Sequence, residues 1–181
     1  MAQVLMIVGS LRTNSFNGQV AKKIEEIIGA RASVNYLDWA DVPIYVQDND
    51  YPAPAAVERV RSEVAQADGI IFLTPEYNLQ IPGPLKNLTD WISRSLDPAN
   101  PRGESAIGGK IVTVNSASAN GGENVRPQLE QLLEFIRTHV VPSQAGIPFN
   151  PEAWATGTLT ISSEAEEALK AQVEAFLAEL E

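Results

Sequence analysis

Short apolar runs rich in β-branched residues alternate along the chain with segments of helical periodicity. The runs predict five strands, at residues 3–9, 33–37, 69–74, 110–115 and 139–142. Apolar residues spaced three and four positions apart predict helices between these strands and after the last one. Strands and helices that alternate in this way are typical of a parallel sheet with helices on both faces. The sequence therefore predicts an α/β fold.

The predicted helices show apolar stripes of different strength. The strongest stripe repeats at i, i+4, i+7, i+8 and i+11, from Val125 to Ile136. Similar stripes run through residues 16–28 and 57–64. The last helix is predicted to open with a capping box that begins at Ser163, in which a serine hydroxyl and a glutamate carboxylate each accept a hydrogen bond from a backbone N–H group. Each stripe gives its helix one face to bury against the sheet.

The number of strands favours one strand order. Five parallel strands in a doubly wound sheet favour the flavodoxin-like order 2-1-3-4-5, in a three-layer sandwich. The other doubly wound order needs a sixth strand, for which the sequence shows no pattern. A length of 181 residues is usual for one domain, so residues 1–181 are predicted to form a single flavodoxin-like domain. Residues 143–162, rich in Pro, Gly and Thr, are predicted to be a surface excursion.

Charge and cysteine content exclude several classes of function. With 23 acidic and 13 basic residues, the formal net charge of -10 disfavours nucleic acid and anionic membrane surfaces as partners. The absence of cysteine removes disulfides, thiolate nucleophiles and Cys-ligated metal centres, so any redox chemistry requires a bound cofactor. The N-terminal apolar run is too short for a signal peptide or a membrane-spanning helix, which predicts a cytoplasmic protein.

The loop after the first strand reads GSLRTNSFNG, residues 9–18, and is predicted to bind a phosphate. Ligands of such sheets bind outside the carboxyl ends of the strands, where the strand order reverses. Hydroxyl, amide and guanidinium groups beside a helix start are the donors that a phosphate monoester needs. A structural alternative is that Ser15 or Asn14 caps the first helix, but capping does not account for Arg12. Neither nucleotide-binding glycine motif is present, which favours a single terminal phosphate over a pyrophosphate.

The loop after the third strand is the second loop predicted to border the ligand site. Together with GSLRTNSFN, the segment TPEYNLQIPGPLKNLTDWISR closely resembles the NADPH-dependent FMN reductase family of flavodoxin-like quinone, azo and chromate reductases. The resemblance extends over essentially the whole chain. It implies that the first loop surrounds the FMN phosphate, that the second borders the isoalloxazine ring, and that a loop after the fourth strand closes the other flank. The implied FMN-binding residues are Ser10, Leu11, Arg12, Thr13, Ser15, Phe16, Asn17, Pro75, Glu76, Tyr77, Asn78 and Ser116.

The resemblance also implies an activity. Hydride from NADPH or NADH would pass through bound FMN to a quinone, azo, flavin or metal-oxyanion acceptor in a ping-pong scheme, with no catalytic side chain and no metal ligand. Family members are commonly homodimers or homotetramers. Gln80 and Pro84 replace the small residues usual in the second loop, and the family's Ala-Arg pair is missing after Gly121 and Gly122. Acceptor preference and assembly contacts are therefore not carried over.

Two other functions are compatible with a sheet of this kind. The first is an FMN electron carrier that does not oxidise nicotinamide, which suits the acidic charge but not the second loop. The second is a receiver-type regulator, which requires acidic residues where the sequence has Gly9 and Thr74. His139, the single histidine, is expected to be structural, and Glu76 is expected to hydrogen-bond to nearby backbone.

Overall fold

A parallel sheet forms the middle layer of the computed structural model, which describes residues 1–142 and 145–181. The order of its main path is β2-β1-β3-β4-β5, with β6 paired to β4, and every pairing between these strands is parallel. The predicted order 2-1-3-4-5 is therefore confirmed. The strands are β1 (Ala2–Val8), β2 (Ala32–Tyr36), β3 (Gly69–Leu73), β4 (Ile111–Ser118), β5 (His139–Val141) and β6 (Gly146–Pro148).

The sixth strand corrects the prediction of five strands. Residues 146–148 pair with residues 116–118, the part of β4 that extends beyond its predicted end. The predicted surface excursion at 143–162 is correct only in part: many of its residues are exposed, but Ile147, Ala153 and Leu159 are buried, and residues 143 and 144 lie outside the described residues. A three-residue strand with one buried side chain has no detectable alternation, so the sequence pattern could not reveal it.

Helices cover both faces of this sheet. They are α1 (Phe16–Ile28), α2 (Ala55–Gln66), α3 (Gly83–Ile92), α4 (Val125–Phe135), the short α5 (Ala153–Thr156) and α6 (Ser163–Ala178). Their apolar stripes form two separate clusters: Ile24 of α1 and Val173 of α6 belong to one, and Val60 of α2 and Leu88 of α3 belong to the other, together with residues of α4. The three-layer sandwich is the result. Within the described residues, no helix combines the length and apolar character needed to cross a membrane.

The start of α6 differs from the predicted capping box. The N-cap is Ser162, whose Oγ accepts a hydrogen bond from the backbone N of Ala165 at 3.2 Å. Starting the helix one residue earlier than predicted leaves no glutamate at the third helical position. The sequence alone does not distinguish Ser162 from Ser163, because serine is an equally good N-cap at either position. With Ser162 as the cap, Ala165 and Leu169 of the helix are buried.

The carboxyl ends of β1 and β3 lie side by side and direct the chain to opposite faces of the sheet. All five residues of β3 are buried, and Gly9, directly after β1, donates its backbone N–H to Leu73 O at 2.7 Å. α1 leads from β1 to the cluster shared with α6, whereas α3 leads from β3 to the opposite cluster. This divergence opens a crevice between the two loops, at the place where doubly wound sheets bind ligands.

Candidate functional site

A cleft of about 300 Å³ opens at the carboxyl ends of β1, β3 and β4. Its walls come from the loop after β1, the loop after β3, the end of β4 and the segment after β6. The lining residues are Ser10, Arg12, Ser15, Phe16, Asn17, Pro75, Glu76, Tyr77, Ala117, Ser118, Ala119, Phe149 and Trp154. Segments that are far apart in sequence therefore share one concave surface, as ligand sites commonly do.

The loop after β1 is fixed to the sheet at the start of α1. Ser15 is the N-cap of α1, and its Oγ accepts a hydrogen bond from Gly18 N at 3.0 Å, which confirms the capping role. The Ser15 hydroxyl still has its own hydrogen to donate. The buried amide of Asn17 bonds both backbone groups of Ala117: Nδ2 donates to Ala117 O, and Ala117 N donates to Oδ1, each at 2.9 Å. Asn17 thus joins α1 to β4.

Arg12 is the cation of the cleft. Its exposed guanidinium makes no hydrogen bond or ion pair with residues 1–142 or 145–181. Instead its Cζ lies 4.9 Å from the ring centroid of Phe16 and 5.4 Å from that of Trp154. An arginine held by aromatic rings, with its N–H groups uncommitted, is suited to a bidentate anionic ligand such as a phosphate.

The loop after β3 presents Tyr77 on a tight turn. Tyr77 N donates to Gln80 O at 3.1 Å, and Gln80 N donates to Tyr77 O at 3.0 Å. The two residues between them have positive φ angles, 52° at Asn78 and 62° at Leu79, which is the pattern of a type I′ turn. The backbone bonds close this turn, and Tyr77 is 51% exposed beside the cleft.

Glu76 is bonded to the start of α4. Its Oε2 accepts hydrogen bonds from the backbone N of Asn124 at 3.1 Å and of Val125 at 3.0 Å, and its Oε1 accepts one from Asn124 Nδ2 at 3.3 Å. Burial raises the pKa of Glu76, but the hydrogen bonds from Val125, Asn124 and Asn120 together lower the pKa below its usual value. The expectation that Glu76 bonds to nearby backbone is confirmed, and the group is a carboxylate at neutral pH.

The third wall is the end of β4 and the glycine turn that follows it. Ser116 lies within β4 and not in the predicted loop, since β4 continues to Ser118. Ser116 Oγ and both amide atoms of Asn115 are buried and lack hydrogen-bond partners in the described part of the chain. Gly122 packs directly on Ser116: a Cβ there would lie 2.2 Å from Ser116 Oγ. The polar side chains of Asn115 and Ser116, which lack partners among the described residues, are therefore next in sequence to Ala117, the first residue of β4 that lines the cleft.

The fourth wall contains two aromatic residues that the sequence interpretation missed. Phe149 and Trp154 follow β6, and their rings pack edge to face with each other and with Phe16, with centroid separations of 4.8 to 5.5 Å. The one available signal was the presence of two large aromatic side chains in a segment otherwise rich in Pro, Gly and Thr. Those side chains make the wall beside Arg12 aromatic and apolar.

The cleft brings together most of the residues predicted to bind a cofactor. Ser10, Arg12, Ser15, Phe16, Asn17, Pro75, Glu76 and Tyr77 line it. Leu11, Thr13, Asn78 and Ser116 are not among the lining residues: the first three are exposed on their loops, and Ser116 is buried in β4.

His139 lies outside the cleft. His139 begins β5, opposite the amino-terminal end of β4, and its Nε2 is 3.2 Å from Glu179 Oε2. His139 therefore lies at the amino-terminal end of the strands, whereas the cleft lies at their carboxyl ends. Across residues 1–142 and 145–181, no group of three or more His, Cys, Asp or Glu side chains is arranged to hold a metal ion.

The chemistry of the cleft matches a phosphorylated aromatic ligand such as FMN. One end has the Arg12 guanidinium, which is unpaired among the described residues, the hydroxyls of Ser10 and Ser15, and the start of α1, all of which attract a phosphate. Away from Arg12, the walls include Pro75 and the half-exposed Tyr77, which can face a flat heterocycle. The residues present therefore fit the cofactor that the sequence implies.

Comparison with known proteins gives consistent matches. Residues 2–152 match the model of a family described as NADPH-dependent FMN reductase. The quinone reductase of Escherichia coli strain K12 is 39% identical over 144 residues, 77% of this chain and 73% of that protein. A quinone reductase of Pseudomonas putida is 37% identical over 136 residues, 74% of this chain and 70% of that protein. The structure of FerB, a flavoenzyme NAD(P)H:(acceptor) oxidoreductase from Paracoccus denitrificans, aligns with a TM-score of 0.84 at 28% identity, covering 99% of this chain and 97% of its own.

Proposed function

Because the chain belongs to the NADPH-dependent FMN reductase family, we propose that it is an FMN-dependent oxidoreductase that transfers electrons from NADPH or NADH to small quinones. The observation that carries this proposal is the cleft, in which Arg12, without a hydrogen bond or ion pair among the described residues, lies beside aromatic side chains near the start of α1. Azo compounds, flavins and metal oxyanions are further acceptors that the family resemblance implies.

At one end of the cleft the chain binds the phosphate. Arg12 supplies a charge-assisted, bidentate contact, and the hydroxyls of Ser10 and Ser15 supply neutral donors. The start of α1 adds the positive end of the helix dipole. Asn17 acts indirectly, because its two bonds to Ala117 keep this helix start at the end of β4.

At the other end the chain orients the ring and leaves room for a second substrate. FMN held by these residues would supply the redox chemistry, namely hydride transfer between a reduced nicotinamide and an electron acceptor. Pro75 and Tyr77 form an apolar border, and Glu76 fixes their loop to α4. Glu76 is not required to donate a proton, and its lowered pKa keeps it ionised at neutral pH.

The proposal includes location and assembly. We place the protein in the cytoplasm, where reduced nicotinamides are available, as a homodimer or homotetramer like other members of the family. Its small-molecule substrates are consistent with a net charge of -10, which repels nucleic acid and anionic lipid. Light scattering coupled to gel filtration measures the oligomeric state: a dimer or tetramer is expected, and a monomer would contradict this part of the proposal.

Steady-state oxidation of NADPH and NADH with 1,4-benzoquinone tests the activity. Oxidation is expected to depend on added FMN. Replacing Arg12 with alanine should raise the FMN concentration needed for half-maximal rate by about ten- to one-hundredfold, because one charge-assisted contact worth roughly 1.5 to 3 kcal/mol is lost. Arg102, an exposed arginine outside the cleft, provides the matched control, and Arg102→Ala should leave that concentration unchanged.

Two outcomes would contradict the proposal. If FMN-loaded protein oxidises neither nicotinamide in the presence of the quinone, the chain is not a reductase of this kind and the electron-carrier alternative is favoured. If Arg12→Ala and the wild-type protein need the same concentration of FMN, the phosphate does not bind at the start of α1.

A further inference from the structure

We propose that Trp154 is a positioning residue that holds the Arg12 guanidinium in the cleft, and thereby sets the preference of the protein for FMN over the same flavin without its phosphate. This inference rests on the proposed function, since it assigns a role toward the FMN phosphate. Trp154 lies just beyond residues 2–152, which match the family model.

Arg12 depends on aromatic contacts for its position. Its guanidinium makes no hydrogen bond or ion pair with residues 1–142 or 145–181, whereas its Cζ is 4.9 Å from the Phe16 centroid and 5.4 Å from the Trp154 centroid. The two ring centroids are 5.0 Å apart. A long, unpaired arginine on an exposed loop would otherwise sample many rotamers, at a cost in entropy when it binds an anion.

Trp154 is itself held in place, although 66% of it is exposed. Gln19 of α1 bonds the segment that directly follows Trp154: its Nε2 donates to Gly157 O at 2.8 Å, and its Oε1 accepts from Leu159 N at 2.8 Å. Asn14 Nδ2 also donates to Gly157 O, at 3.1 Å. The segment that carries Trp154 is thus fastened to the same helix start that is proposed to receive the phosphate.

The contact between Arg12 and Trp154 leaves the anion-binding capacity of the arginine intact. A cation above an aromatic face is attracted by the ring quadrupole, while the N–H groups around the guanidinium plane stay available for a planar pair of oxygens. The ring therefore stabilises the cation without neutralising it, which a carboxylate partner would do. Of the aromatic residues, tryptophan gives the strongest attraction.

Flavin binding to the apoprotein, followed by quenching of flavin fluorescence, separates this role from a contact with the flavin ring. Trp154→Ala is expected to weaken FMN binding about fivefold and riboflavin binding by less than about twofold, since only FMN carries the phosphate. Trp154→Phe should retain most of the FMN affinity. Trp154→Leu, which keeps an apolar side chain without a π face, should behave like Trp154→Ala.

A double-mutant cycle gives the second test. In an Arg12→Ala background, Trp154→Ala should cause no further loss of FMN affinity, because the group that Trp154 positions is gone. Phe135→Ala removes another exposed aromatic side chain, at the end of α4, and should leave FMN affinity unchanged. The exposure of Trp154 makes its variants compatible with folding, and a far-ultraviolet circular dichroism spectrum checks this.

The results that would overturn the inference are distinct from failure of the proposed function. Equal losses of FMN and riboflavin affinity in Trp154→Ala, no loss of either, or additive effects with Arg12→Ala would each show that Trp154 does not act through Arg12. By contrast, a wild-type apoprotein that binds riboflavin as tightly as FMN, or binds neither, would contradict the assignment of the phosphate site in the proposed function.

Discussion

Glu76 joins the second loop of the cleft to the first turn of α4, and Glu76→Ala is expected to destabilise the apoprotein. In the wild type its carboxylate accepts hydrogen bonds from Asn124 N at 3.1 Å, Val125 N at 3.0 Å and Asn124 Nδ2 at 3.3 Å. Backbone N–H groups at a helix start have no partner within the helix, so their bonds to Glu76 are lost without an internal replacement.

The expected size of this loss follows from the contacts. A hydrogen bond to a charged group contributes about 1.5 to 3 kcal/mol, and a carboxylate at a helix N-terminus adds about 0.3 to 1 kcal/mol. Because Glu76 is partly exposed, water replaces some of these bonds in the variant, and a net loss of about 1 to 2 kcal/mol in the free energy of unfolding is expected. For a chain of this size that corresponds to a melting temperature lower by about 2 to 8 °C.

The effect should depend on pH. Burial raises the pKa of Glu76, but its hydrogen bonds together lower the pKa by more than burial raises it. The pKa of Glu76 is therefore lower in the folded state than in the unfolded state. The stabilisation is then fully present above the unfolded pKa of about 4.3 and is lost as the pH falls through the folded pKa. The difference in unfolding free energy between the wild type and Glu76→Gln should therefore be largest near neutral pH and shrink in acid.

Urea unfolding of the apoprotein at neutral and acidic pH measures both effects. Glu134→Ala is the matched control, since this exposed carboxylate lies near the other end of α4, where the helix dipole disfavours a negative charge. Its removal should not destabilise the protein. Equal unfolding midpoints for Glu76→Ala and the wild type at neutral pH would refute the argument, as would a difference for Glu76→Gln that stays constant with pH.

Three other substitutions have defined expectations. Asn17→Leu leaves the buried N–H and C=O of Ala117 unpaired and should lower the free energy of unfolding by about 2 to 4 kcal/mol; urea midpoints within error of the wild type would count against this. Gly122→Ala places a Cβ 2.2 Å from Ser116 Oγ at a φ of 71°, and should destabilise the apoprotein by about 1 to 3 kcal/mol in thermal unfolding. Adding Ser116→Gly should recover part of that loss, and no recovery would mean that the backbone angle dominates.

The sheet could be predicted from the sequence because its signals are local. The apolar run at residues 69–73 identifies β3, and the stripe from Val125 to Ile136 identifies α4, without reference to any partner. The strand order was predicted from a count of five strands, and it is correct although a sixth strand exists, because β6 pairs with β4 off the main path. From that order, the two loops at the carboxyl ends of β1 and β3 could be predicted to face each other.

The rest of the site depends on contacts between distant segments. The packing of Trp154 on Arg12 joins residues at opposite ends of the chain, and nothing near Trp154 in sequence indicates it. β6 exists because it pairs with the extended end of β4, whereas its own three residues lack a strand pattern. The start of α6 was predicted one residue too late, because Ser162 and Ser163 are equally good N-caps in sequence. The burial of one helix face, which depends on the rest of the fold, distinguishes them.

Anaerobic addition of reduced nicotinamide to the FMN-loaded protein tests the central claim most directly. NADPH or NADH is expected to bleach the visible absorbance of the bound flavin, and subsequent addition of 1,4-benzoquinone is expected to restore it without release of FMN. The order of these two events separates hydride acceptance from electron delivery. A bound flavin that stays oxidised with both nicotinamides would contradict the assignment of this chain as an NAD(P)H-dependent reductase.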